Sequence, residues 1–305
     1  MNNKKILITG GTGFIGYHLA KKCLKLNWSV TSLSTKKPKK IRKLKKVKYL
    51  IGDISDKKKL IKNIKPNSYD YVVNLAGYVD HSYKRKTMDS HYNGCKNLSL
   101  LFLNSKIKKF VQIGSSIEYG KIRSPQIENK LNYQKTFSVY GNAKLQSTKF
   151  LLNLNKKFNF PTTILRLYLV YGPAQDTNRV VPITIFNAIK DNNFDCSNGT
   201  QLRDFLFIDD LIKAIIKSLN NKKANGEIIN IGTGKPIKIK DLIIKICDLV
   251  GSGKPEFGKI SLRKDEIKRL YPKILKSKKL LNWKSNVSLE KGLITTIKYF
   301  RKYNN

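Results

Sequence analysis

Acidic residues are scarce and come late. The chain carries 20 Asp and Glu against 61 Lys and Arg, for a formal net charge of +41, and none of the acids precedes Asp53. A ligand held by the first fifty residues therefore meets no carboxylate. Arginine is scarce as well: nine of the 61 basic residues are Arg and the rest are Lys. Readers of nucleic-acid sequence rely on Arg forks and interleaved aromatics. With Asn and Ile also plentiful, the charge fits AT-rich codon usage, and nucleic acid is not the expected partner. The four Cys (23, 95, 196, 247) and three His (18, 81, 91) are widely spaced, with no CxxC pair and no metal-ligand pattern. A reduced, cytoplasmic protein without bound metal is expected. No apolar run approaches the roughly 20 residues of a membrane span. The apolar part of the start, MNNKKILITGG, is short, cut by glycines and followed by no cleavage site, which argues against a signal peptide.

What is present is an alternation. KKILITG, WSVTSLS, VKYLIGD, YDYVVNLAG, KKFVQIGSS and PTTILRLYLV read as strands. GFIGYHLAKKCLKL, DKKKLIKNI, HYNGCKNLSLLFLN and SVYGNAKLQSTKFLLNLNKKF read as helices between them. Repeated β-α units with short connections predict an α/β protein with a parallel sheet covered on both faces. After YGP (171–173) the rhythm loosens, through VVPITIFNAIK, GTQLRDFLFIDDLIKAIIKSL, EIINIG and IKIKDLIIKICDLV to a polar tail. The boundaries expected are a dinucleotide-binding domain over 1–172 plus about 201–232, and a smaller substrate-binding lobe over about 173–200 and 233–305. The run KKPKKIRKLKKVK (36–48) spaces Ile41, Leu44 and Val47 by three, as one edge of a short helix with a solvated basic face.

Between the first strand and first helix stands Gly10-Gly11-Thr12-Gly13-Phe14-Ile15-Gly16. In a β-α-β unit such glycines serve a tight turn (Gly10), a close approach to a pyrophosphate at a helix N-terminus (Gly13) and close helix–sheet packing (Gly16). The fold expected is a Rossmann-type doubly wound parallel sheet with a smaller C-terminal substrate-binding lobe. NAD sites of this kind place a carboxylate about 20 residues on, to accept from the ribose hydroxyls. Here that place holds Ser34, Thr35, Lys36 and Lys37. Hydroxyls and ammonium groups suit a 2′-phosphate, so NADP(H) is favoured over NAD(H). Asp53 and Ile54, after the third strand, are placed to meet the adenine.

A Tyr and a Lys at i and i+4 share a helix face. Three such pairs occur, Tyr17–Lys21, Tyr92–Lys96 and Tyr140–Lys144, about what chance gives in so Lys-rich a chain. Position decides between them. Only Tyr140 opens a helix just beyond the strand ending in Gly114-Ser115-Ser116, at the sheet edge where ligands of open α/β folds sit.

With TGGTGFIG, GDISD, NLAG, GSSIEYG, SVYGNAK, LRLYLVYGP, GTQLRDFLFIDDL, INIGTGKPI and LYPKILKSKKLLNWKSNVSLEKGL, the sequence resembles, nearly end to end, an extended short-chain dehydrogenase/reductase of the NAD-dependent epimerase/dehydratase family. The resemblance implies that Tyr140 exchanges a proton with a sugar oxygen, kept acidic by Lys144, which also holds the nicotinamide ribose. It implies that Ser115 orients the same oxygen, and adds Leu75, Ala76, Gly77 and Asn93 to the cofactor site. It assigns Ser116, Arg203 and Arg263 to a nucleotide-sugar substrate, the two Arg as grips on its diphosphate. A homodimer in nucleotide-sugar metabolism is implied too. Arg166, inside an apolar strand, reads as a buried, paired structural residue.

Dehydratases of the family carry Asp-Glu directly after the Ser. Ser116 and Ile117 stand there, so 4,6-dehydration is not expected. GSSIEYG is similar to 4-ketoreductases acting on 4-keto-6-deoxyhexose nucleotides, and that reductase is placed ahead of a 4-epimerase. A non-catalytic polyanion binder on the same fold is the rival of another class. Leu169 departs from the Asn that many relatives carry. The stretch 78–91 is expected as a loop over the sugar, with His81 and Lys84 more simply loop residues than substrate contacts.

Overall fold

Strand alternation determines where the sheet lies. In the computed structural model, residues 3–78, 80, 83–128, 136, 138–262 and 266–303 are described. The strands are β1 Lys5–Thr9, β2 Ser29–Ser34, β3 Val47–Ile51, β4 Tyr71–Asn74, β5 Lys109–Ser115, β6 Thr162–Leu167, β7 Leu169–Tyr171, β8 Asn193–Cys196, β9 Leu202–Arg203, β10 Phe205–Phe207, β11 Glu227–Ile231, β12 Ile237–Lys238, β13 Lys254–Phe257 and β14 Arg269–Leu270. The helices are α1 Phe14–Lys25, α2 Lys57–Asn63, α3 Lys84–Met88, α4 Gly94–Leu101, α5 Val139–Phe158, α6 Val180–Ile189, α7 Ile208–Leu219, α8 Ile239–Val250, α9 Leu275–Leu281 and α10 Leu289–Tyr303.

Seven strands form one parallel sheet in the order β11-β6-β5-β4-β1-β2-β3. Successive side chains point to opposite faces. Ile6, Ile8, Val73, Val111, Ile113, Leu165, Leu167, Ile229 and Ile231 thus join a core shared with α1, α6, α7, α8 and α10. Leu7, Val72, Phe110, Ile164 and Ile228 join the opposite core, under α2, α4 and α5. The doubly wound Rossmann-type architecture is as the sequence predicts. Strand order reverses between β1 and β4, which opens a crevice at their C-terminal ends. Among the described residues no helix is long and apolar enough to cross a membrane.

Two local expectations fail. The run 36–48 makes only a single 3-10 turn at Lys40–Arg42 before β3. Ile41 is exposed there and Arg42 is buried. Arg42 is drawn inward because Nε (3.0 Å) and Nη2 (2.5 Å) donate to the Ala174 carbonyl. Within the stretch 78–91, residues 84–91 are helical: α3 runs into a π turn at Asp89–Asn93 and then directly into α4.

Candidate active site

Gly10 ends β1 with φ +69, a left-handed conformation that glycine adopts freely. A Cβ there would lie 2.9 Å from the Leu75 backbone, and one on Gly16 would lie 2.5 Å from both Gly10 O and Gly11 Cα. The chain end after β4 and the first turn of α1 are therefore packed directly on the glycine turn. Gly13 caps α1 without any side-chain bond, and no acid lies in the first turn. The first amides of a 12-residue helix thus face a cleft with their dipole unopposed, which suits a pyrophosphate. The residues present fit a dinucleotide.

The cleft is about 1230 Å³. Gly10, Thr12, Gly13, Phe14, Ile15 and Gly16 line it, as do Ser34, Asp53 and Ile54. Leu75, Ala76 and Gly77 follow from β4, and Ser115, Tyr140 and Lys144 close the far end. Of the three Tyr–Lys pairs only Tyr140–Lys144 is in the lining.

Local structure explains that placement. Ser138 caps α5 through Oγ, which accepts from Gly141 N at 3.1 Å, so Tyr140 falls in the first helical turn. Gly141 leaves no room for a Cβ against Ile117, 2.7 Å away, which brings α5 close to the turn that follows Ser115. The Ser115 hydroxyl lies beside the Tyr140 phenol and favours its ionised form. Lys144 Nζ donates to the Ile113 carbonyl at 2.8 Å and sits 6.0 Å from the Tyr140 ring centre.

The phenol was expected to be acidified, and in this structure the shift is upward. Burial raises it and the Glu118 charge adds to that, while the neighbouring Ser115 hydroxyl and the Arg179 guanidinium pull it down. Burial also lowers Lys144, against the Glu118 charge.

Several expected contacts fall elsewhere. Lys36 and Lys37 are exposed and outside the cleft lining; Lys39 lines it instead, because Lys39 is drawn to Asp176 at 2.7 Å. Asn93 is exposed and also outside the lining, its Nδ2 donating to Asp89 Oδ1 at 2.8 Å. One helical turn on, Asn97 Nδ2 instead donates to the Ile54 (3.2 Å) and Ser55 (3.0 Å) carbonyls, bracing the turn that carries Asp53. Ser116 is buried outside the cleft lining because its side of the turn faces the interior. Arg203 is buried away from the cleft lining, where its guanidinium pairs with Glu266 and donates to Leu202 O at 2.8 Å. Arg263 and His81 lie outside the described residues. Leu169 does line the cleft, part-exposed.

Asp89, Ser90 and His91, from the stretch expected over the sugar, line the cleft on the π turn, and Arg179, just before α6, joins them with no signal in the sequence. Beneath the cleft a buried ladder crosses three strands. Thr9 Oγ1 donates to Asn74 Oδ1 (2.5 Å), and Asn74 Nδ2 donates to Gln112 Oε1 (2.7 Å).

A second, Lys-rich groove of about 590 Å³ lies between α1, α7 and α9. Two of its ammonium groups are already engaged, Lys213 with Asp210 (3.2 Å) and Lys217 with the Asn282 carbonyl (2.5 Å).

The model of the NAD dependent epimerase/dehydratase family matches residues 6–232, and the chain belongs to that family. It is 29% identical over 324 residues to UDP-glucuronate 4-epimerase of Thermodesulfobacterium geofontis, covering 97% of this chain and 96% of that protein. It is 27% identical over 322 residues to dTDP-D-glucose 4,6-dehydratase of Bos taurus, covering 98% and 89%. Among solved structures, UDP-glucuronic acid 4-epimerase from Bacillus cereus, in complex with UDP-glucuronic acid and NAD, is 29% identical with a TM-score of 0.86. That likeness covers 98% of this chain and 99% of that one.

Proposed function

We propose that the protein is an NAD-dependent 4-epimerase of a nucleotide-linked sugar. The observation that carries the reading is that Ser115 and Tyr140, with Lys144 one turn on, together line the cleft that the glycine turn opens. A bound nicotinamide supplies the hydride acceptor and donor. Tyr140 takes the proton of the sugar 4-hydroxyl as C4 is oxidised and returns it when the ketone is reduced from the other face. Ser115 holds the same oxygen. Lys144 supplies positive charge beside the site, and Arg179 helps the phenol ionise.

A 4,6-dehydratase relative is matched over nearly the whole chain. Elimination of water needs a further acid and base, and the positions after Ser115 are Ser116 and Ile117. Glu118 cannot stand in for them, since both its oxygens are bonded to protein donors.

NAD is proposed over NADP. Lys36 and Lys37 do not reach the cleft, and Lys39 is tied to Asp176, whose carboxylate also lines it and would repel a 2′-phosphate. A 4-ketoreductase is the second reading. It is favoured by the end of β2, where Ser34 and Thr35 offer hydroxyls and no carboxylate.

The test is incubation of the purified protein with NAD and UDP-glucuronate, with the product read by NMR. The 4-epimer is expected. Absence of epimer, with NADPH oxidised by a 4-keto-6-deoxyhexose nucleotide, would replace this reading with the reductase. Neither activity, with RNA bound equally by Tyr140→Phe, would leave the polyanion binder.

A further inference from the structure

We propose that Glu118 is a positioning residue, whose buried carboxylate locks the Ser115 turn to the helix that carries Tyr140 and Lys144. The inference rests on the reading that these three groups do the chemistry. Glu118 lies on the short 116–119 turn, almost fully buried. Its Oε1 accepts from Ser115 N at 2.7 Å. Its Oε2 accepts from Thr148 Oγ1 at 2.7 Å and from Arg166 Nε (3.0 Å) and Nη2 (2.9 Å). Thr148 is one helical turn beyond Lys144 and two beyond Tyr140 on α5. One carboxylate thus joins the end of β5, the middle of β6 and α5.

Space is kept for it. A Cβ on Gly114 would lie 2.5 Å from Glu118 Oε1, so any larger residue there would push the carboxylate off its partners. Arg166, equally buried, balances the charge and stacks 4.3 Å from the Tyr119 ring centre.

Reacting groups must be held closely, because a displacement of about 1 Å can cost on the order of 100-fold in rate. The clamp also sets charge. Among the described residues, the groups around the Tyr140 phenol include Ser115 at the end of β5, Glu118 on the turn after it, Lys144 from α5, Arg179 just before α6, and His91 from the π turn, its ring centre 4.9 Å from that of Tyr140. Glu118 is an acid, and its charge raises both Tyr140 and Lys144. Removing its charge leaves Arg166 unbalanced, so the phenol should ionise at lower pH.

The test uses E118Q, T148V and T148S in the full chain. Two readouts are taken: kcat and KM on the nucleotide sugar, and ultraviolet titration of the phenol at 140, as the difference from Y140F in each background. E118Q should lower kcat by about tenfold or more, leave KM within about twofold, and move the titration to lower pH. T148V should lower kcat severalfold without moving the titration, and T148S should restore it. Folded E118Q and T148V with wild-type kcat and titration, or with a loss confined to KM, would overturn the proposal. If E118Q does not fold, the T148V and T148S pair decides it. The titration needs no turnover. A shifted phenol in a protein that epimerises nothing would therefore keep the clamp and discard the proposed reaction. Normal turnover in every variant would discard the clamp alone.

Discussion

The two ends of the cleft are joined across by opposite kinds of ion pair. At the catalytic end, Glu118 and Arg166 are both almost fully buried, and each carboxylate oxygen is used. At the rim beside β2, Asp176, 42% exposed, meets Lys39, 67% exposed, at 2.7 Å and the buried Arg42 at 3.0 Å. A pair out of water holds one geometry and is costly to break from one side. A pair in water is cheap and screened by salt. On the proposed function, the rigid end holds the reacting groups in line and the loose end lets a dinucleotide pass.

Replacing Arg166 with Met tests the difference most severely. It strands a buried carboxylate, so a loss of about 3–5 kcal/mol in denaturant unfolding is expected. A loss below about 1 kcal/mol would mean the two ends are alike.

Lys109 sharpens the comparison from another side, as a buried cation bonded only to neutral oxygens. Its ammonium donates to Asn225 Oδ1, the Asn221 carbonyl (2.7 Å) and Thr163 Oγ1 (3.3 Å), and burial pushes it down to about 8. The unfolded chain then holds more protons than the native one above pH 8, so stability rises with pH. Between about pH 8 and 10 the wild type should gain about 2 kcal/mol relative to K109M. A flat difference between the two would contradict the buried-cation account.

Asp176→Asn should do least. Burial raises this carboxyl, but the bonds from Lys39 and Arg42 outweigh it and hold it low. Its stabilising share is therefore full above the ordinary carboxylate range and is lost as pH falls through the depressed value. With Asp176 and Lys39 reached by water, and Arg42 keeping its bonds to the Ala174 carbonyl, the expected loss is under about 1 kcal/mol. Dinucleotide should leave D176N a fewfold more slowly at low salt, because the carboxylate no longer opposes an anion there, with the difference fading in high salt. A large loss that salt does not touch would show that the rim is as rigid as the catalytic end.

What the sequence made legible is what short spacing dictates. The glycine turn, the alternation along β1, β4, β5 and β6, and the choice of Tyr140 over Tyr17 and Tyr92 all follow from neighbours within a few residues and from chain order. What it hid depends on phase and on distant partners. The π turn at 89–93 widens the helix by one residue per turn. It turns His91 to the cleft and Asn93 to solvent, which leaves the bracing role to Asn97. Lys39, rather than Lys36 or Lys37, lines the cleft because its partner Asp176 is 137 residues away. The burial of Arg203 likewise answers to Glu266, on a segment that spacing alone could not bring near. Arg166 was readable as a buried paired cation, but its partner was not, since Glu118 sits 48 residues earlier.

The central claim is that the Tyr140 oxygen carries the proton of the reacting sugar hydroxyl. It is tested most directly by kcat of Tyr140→Phe against the wild type, on UDP-glucuronate with NAD saturating. A fall of about 10²–10⁴ is expected, with dinucleotide binding unchanged. A phenylalanine variant that turns over at the wild-type rate would contradict it.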